Sequence, residues 1–170
     1  MAKTDSFFIR AKLTGLTAGA FGQTSLDLGA YVDALGKSVL RIHRATAQYV
    51  SGGFQEPSVT LANSEARTFF QLTTQSQTAL VDGTDKSVIC SGSMSAANGS
   101  AVANTYTFLS QDMDISPDVW TNGYLVGVEQ IYLGGSSTNF QYPQDVVIVL
   151  ECTVETLNAS AAMALALSQQ

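Results

Sequence analysis

Apolar and polar residues alternate along most of this chain, and a period of two marks strands with one buried face. The clearest run is residues 144–155. There Val146, Ile148, Leu150, Cys152 and Val154 form one column, and Val147, Val149, Glu151, Thr153 and Glu155 form the other. The first column is apolar throughout and predicts a core face. The second is polar only in its later half, so Val147 and Val149 stand where a solvent face should be polar. They ask for a cover, either the terminal helix or a neighbouring subunit.

The same alternation recurs upstream. Residues 6–14 place Phe7, Ile9, Ala11 and Leu13 on one face, and residues 24–32 turn Leu26, Leu28, Ala30 and Val32 inward. In residues 39–50 the parity flips: Leu40 and Ile42 share a face, but Ala45, Ala47 and Tyr49 take the other. A one-residue bulge near His43 and Arg44 would restore a single buried face. Further strands are expected at 57–61, 68–74, 78–81, 87–94 and 101–109. Residues 119–133 are apolar on both faces and predict a central or covered strand. Residues 111–118 read as an acidic loop and 134–139 as a flexible Gly/Ser loop. Asn158 is a good N-cap for a helix over 158–168. Met163, Leu165 and Leu167 give that helix too little apolar surface to bury much, which makes it an interface element at an edge or against another subunit. Removing residues 161–170 should then spare the fold. The pattern predicts an all-β protein, a single jelly roll or β-sandwich of about eight to ten strands with a short C-terminal helix, forming one domain over 1–170.

Composition narrows the function. Hydrophobic residues make up 45% of the chain and charged residues 13%, about half the usual share of roughly 25%. Such a surface is covered by Ser, Thr, Gln and Gly, or by neighbours. No apolar run, that of residues 146–150 included, comes near the ~20 residues a spanning helix needs. The first residues carry Asp5 and no long apolar core, so no signal peptide is expected and the chain is expected to be made in a cytoplasm. In that setting Cys90 and Cys152 are expected to be reduced, buried thiols. The net charge is −6, every Lys and Arg lies at or before Lys86, and residues 87–170 hold acids alone. Nucleic-acid binding draws its affinity from neutralised phosphates, so direct binding is not expected.

No stretch carries a catalytic motif. Leu35-Gly36-Lys37-Ser38 has the tail of a phosphate loop, but Tyr31 stands where the motif needs Gly, and a strand follows where it needs a helix. A hairpin turn is the plain reading. Asp112, Asp114, Ser116 and Asp118 space their oxygens like half a calcium loop, yet Pro117 replaces the turning Gly and Gly123 the closing Glu. Asp112, Asp114 and Asp118 are thus a weak cation candidate on an exposed acidic loop. One histidine, His43, excludes multi-histidine metal chemistry; with Arg41 and Arg44 it could meet a carboxylate of another subunit. No cofactor is expected. The candidate functional residues are the apolar interface positions Val147, Val149, Met163, Leu165 and Leu167.

Three stretches resemble the single jelly-roll capsid proteins of icosahedral viruses that infect archaea and bacteria. They are the first strand running into residues 22–29, residues 122–134, and the last strand with residues 161–170. The resemblance implies a non-enzymatic, self-assembling shell subunit found in the virion, with copies of itself and a second capsid protein as partners. The basic arm of many genome-binding capsid proteins has no counterpart here, which implies that an internal membrane or another protein separates subunit from genome. Two other classes fit an all-β chain without a site. One is a virion spike or a filament or tail subunit. The other is a carbohydrate-binding β-sandwich module, with Trp120, Tyr124, Tyr132 or Tyr142 as its platform.

Overall fold

The computed structural model describes residues 5–17, 19–33 and 37–170. Among these, nine strands lie in two antiparallel sheets. One sheet orders β1 (Phe7–Leu16), β9 (Gln144–Thr156), β3 (Ser38–Ser51) and β7 (Tyr124–Val126) side by side. The other orders β2 (Gly22–Asp27), β8 (Gln130–Thr138), β4 (Ser64–Thr73), β5 (Val88–Asn98) and β6 (Phe108–Ile115). Set β6 aside as an added edge strand, and the rest pair first with last: β1 with β9, β2 with β8, β3 with β7 and β4 with β5. A long antiparallel ribbon with this pairing, wrapped around itself, yields the β9–β3 and β8–β4 contacts that complete the sheets.

The alternating columns explain why the ribbon closes. Val146, Ile148, Leu150 and Cys152 of β9 are buried and meet Leu40, Ile42, Leu72, Ile131 and Leu133 in one core. The long strand β3 bends where its parity flips. Ile42 pairs with Cys152 and Arg44 with Glu151, leaving His43 as the extra residue. The bulge returns Ala45 to the core behind Leu40 and Ile42, as the sequence pattern required. Cys90 and Cys152 are buried free thiols. Burial is the largest influence on each, raising the Cys90 thiol and pushing that of Cys152 up to about 12.

Several expectations fail for readable reasons. Residues 119–133 are two strands, because β7 joins the first sheet, residues 127–129 cross the sandwich, and β8 joins the second. Two short buried faces in series mimic one strand apolar on both sides. The acidic loop at 111–118 is largely strand β6, and most of residues 101–107 lies outside any strand. The Gly/Ser stretch after residue 133 continues β8, since a Cβ on Gly134 would lie 2.6 Å from the Phe21 ring and one on Gly135 2.6 Å from the Phe69 carbonyl oxygen. Close packing demands those glycines. β2 ends at Asp27, leaving Ala30 exposed. Residues 57–61 contribute only isolated bridges from Val59 to Thr105 and Phe140. Residues 78–81 form no strand either. The buried Gln71 side chain accepts from Val81 N (2.7 Å) and donates to the Ala79 carbonyl (3.1 Å), holding that loop over the second sheet. Part of the turn expected at Leu35 and Gly36 lies outside the described residues.

The helix α1 (Ala159–Ser168) begins as expected, with Asn158 Oδ1 accepting from Ala161 N at 2.8 Å. Ala162 and Ala166 are buried, and the helix docks beside the edge strand β7 where Leu165 and Ala166 pack on Gly127. The residue after it is the anchor. Gln169 is buried, accepts from Gly127 N (2.8 Å) and donates to the Leu125 carbonyl (2.6 Å), while its own carbonyl accepts from Thr74 Oγ1 (3.0 Å). The expectation that residues 161–170 can be removed without harm to the fold is therefore corrected. Gln169→Ala should destabilise by about 2–4 kcal/mol, since it strands the buried Gly127 amide and the part-buried Leu125 carbonyl. A melt with the wild-type midpoint would contradict this.

Candidate assembly surfaces

No described cluster has the form of a catalytic centre, so the surfaces of the sandwich are the candidate sites. The outer face of the first sheet is the most varied. Its rows read Phe8–Glu151–Arg44, Arg10–Val149–Thr46 and Lys12–Val147–Gln48 across β1, β9 and β3. Val147 and Val149 are half-buried between these long side chains, whose stems can shield apolar neighbours while their heads stay in water. The helix docks at β7, so its expected role as their cover is not what the fold provides.

Two ion pairs neutralise part of this face. Lys12 Nζ lies 2.9 Å from Asp145 Oδ2. Arg41 forks onto Glu155, with Nη2 donating to Oε2 at 2.8 Å and Nε to Oε1, and its Nη1 donates to the Asn122 carbonyl. The hydrogen bond is the main reason that the Glu155 carboxyl sits below its ordinary range and the Arg41 guanidinium above its own. The carboxylate expected from another subunit is thus supplied to Arg41 by the chain itself. His43 Nε2 is 2.8 Å from Thr153 Oγ1. Arg44 and Arg10 remain exposed without an ion pair among the described residues, Arg10 lying 5.6 Å over the Phe8 ring.

The acidic candidates Asp112, Asp114 and Asp118 lie toward the other side of the sandwich. Asp112 and Asp114 are on edge strand β6, and Asp118 lies in the 3₁₀ turn Pro117–Val119. Ser110 Oγ donates to Asp112 at 2.7 Å, and Ser116 Oγ donates to Asp118. Among the described residues no three His, Cys, Asp or Glu side chains gather in a way that could hold a metal ion. Apolar side chains stand exposed nearby: Phe108 at 61%, Val119 at 74% and Trp120 at 42%.

Of the apolar helix candidates, Met163 and Leu167 point outward and are exposed, while Leu165 is half-buried against Gly127. The expected aromatic platform is only partly assembled. Trp120 and Tyr124 lie together with ring centroids 6.0 Å apart, but Tyr132 is on β8 of the other sheet and Tyr142 in the turn before β9. A groove of about 420 Å³ on the second sheet, missed in the sequence, is lined by Arg67, Phe108 and Asn139 among others. Arg67 stacks 3.9 Å over the Phe69 ring there.

No protein-family model matches the sequence, and no curated protein is similar to it. Solved structures do share its fold. VP1 of Trichodysplasia spinulosa-associated polyomavirus, solved in complex with GM1 oligosaccharide, superposes with a TM-score of 0.52 at 7% identity, covering 92% of this chain and 97% of that one. The chain is a jelly roll. The unassembled VP1 pentamers of Merkel Cell Polyomavirus (TM-score 0.48, 7% identity, 92% and 98% covered) and KI Polyomavirus (0.48, 8%, 92% and 97%) are less similar. At such identities the likeness speaks of fold alone, and it agrees with the ribbon pairing read strand by strand.

Proposed function

We propose that this chain is a structural subunit of a virus shell that assembles with copies of itself and performs no catalysis. The observation that carries the reading is the wrapped ribbon. It superposes on a viral VP1, a jelly-roll capsid protein, over 92% of this chain and 97% of that one. The low charge, the half-buried Val147 and Val149, and the exposed Met163 and Leu167 support burial against neighbours. The virion is then the place where the protein resides. Within that reading, the sequence resemblance favours a virus of archaea or bacteria and a second capsid protein as partner. The acids of residues 87–170 favour an internal membrane or another protein between this part of the shell and the genome.

The exposed Trp120 beside Tyr124 favours a second reading, a carbohydrate-binding module. Sedimentation velocity of the purified chain separates the two. Discrete pentamers, hexamers or larger closed species support the shell subunit, and a spike or filament reading would gain from open-ended polymers. A strict monomer whose glycan binding is lost in Trp120→Ala would overturn the shell reading.

A further inference from the structure

The two sides of the sandwich differ in charge. One side ends in strands β1 and β2, the other in β7 and β6. The edge strand β1 carries Arg10 and Lys12 two residues apart, Arg10 without an ion pair among the described residues and Lys12 half-exposed in its pair with Asp145, at a groove of about 320 Å³ that opens between β1 and β2. The one acid in that groove, Asp27, is occupied by the Gly29 amide at 2.8 Å. The edge strand β6 carries Asp112 and Asp114, also two residues apart, with Asp118 just beyond, and none of the three forms an ion pair among the described residues.

Among the described residues each of these strands pairs with a strand on one side only, β1 with β9 and β6 with β5, so each presents an edge of backbone N–H and C=O groups that no other described strand pairs with. At ten and eight residues they are long edges. Opposite charges facing across neighbouring strands stabilise the pairing, whereas like charges oppose it. A β1 edge meeting another β1 edge would set Arg10 and Lys12 against themselves, and two β6 edges would set Asp112 and Asp114 against themselves. Only the unlike combination satisfies both edges.

We infer that copies of this chain join head to tail, the basic β1 edge of one copy against the acidic β6 edge of the next, with Arg10 and Lys12 facing Asp112 and Asp114. This inference rests on the self-assembling reading and gives that assembly a direction. The contact is heterologous, because the two patches differ and lie on opposite sides of the sandwich. Repetition of such a contact closes into a ring when the rotation permits. Phe8, exposed on β1, and Phe108, exposed at the start of β6, add apolar surface at the same edges.

Charge exchange tests the contact. Arg10→Glu with Lys12→Glu, and separately Asp112→Lys with Asp114→Lys, should each lower the association constant by about tenfold or more. The chain carrying all four changes should associate again, since its edges are complementary with the signs reversed. Sedimentation velocity at two salt concentrations reads the effect, with circular dichroism confirming the fold. If loss of the Lys12–Asp145 pair unfolds the first variant, Arg10→Glu alone, combined with Asp112→Lys for the rescue, replaces it. A wild-type chain that never associates would overturn the shell reading itself. A wild type that assembles, with variants that assemble equally well, would overturn this contact alone. Aggregation of the Asp112/Asp114 variant without rescue in the four-residue exchange would also overturn it, showing those acids to be guards of an exposed edge.

Discussion

Ile148→Asp should leave no cooperatively folding protein. Ile148 is fully buried in the strand that joins the two halves of the first sheet, paired with Ala11 of β1 and Ala47 of β3. A carboxylate there faces Leu, Ile and Val side chains with no counter-charge in the core. Burying it unpaired costs several kcal/mol, against the ~5–15 kcal/mol that hold a typical domain together. The conservative variant Ile148→Val removes one methylene and should cost only about 1 kcal/mol, with a normal cooperative melt. If Ile148→Asp melts like the wild type, the core lies elsewhere.

Gly123→Ala should be the next most damaging change. Gly123 has a φ of 61°, and a Cβ built on it would overlap the Ile42 carbonyl oxygen and come within 3.2 Å of the His43 Cα. The obstruction is backbone, at the bulge of β3, where β7 is held by only three register pairs from Leu40 to Ile42. The left-handed conformation costs an Ala about 1–2 kcal/mol, and forcing backbone apart adds about 1–3 kcal/mol. Gly15 separates the two effects. Its φ is 75°, but an added Cβ would meet nothing within 4 Å. Gly15→Ala should therefore cost only the conformational part. Equal losses in thermal melts would show that β7 does not approach the bulge closely.

The sequence made some of this fold visible and hid the rest for physical reasons. The bulge at His43 was readable because the parity change occurs inside one long strand, with Leu40 and Ile42 on one side and Ala45 on the other. The crossover at residues 127–129 was hidden because β7 and β8 each keep good alternation but belong to different sheets. Strand β6 reads as a loop in the sequence because Asp112 and Asp114 dominate its composition. The half-buried Met113 and Ile115, alternating with those acids, are the pattern that marks it. The glycines at 134 and 135 looked flexible, although crowding by Phe21 and the β4 backbone is what requires them.

The candidate surfaces divide in the same way. Val147 and Val149 stood out because two apolar residues broke an otherwise polar column. What flanks them depends on β1 and β3 lying on either side of β9, an arrangement that links positions about a hundred residues apart or more. The Arg41–Glu155 pair, 114 residues apart in sequence, was invisible for the same reason. Gln169 gave no local signal at all, since a buried glutamine near a chain end looks like any other polar residue until its partners at Gly127 and Leu125 are known.

Negative-stain imaging of the purified chain tests the central claim most directly. A subunit whose ribbon fold serves to pack against copies of itself should give closed, symmetric particles, or rings of a fixed number of copies. A field of single monomers over the concentrations that support particle formation, with no ring, shell or regular assembly, would contradict the account.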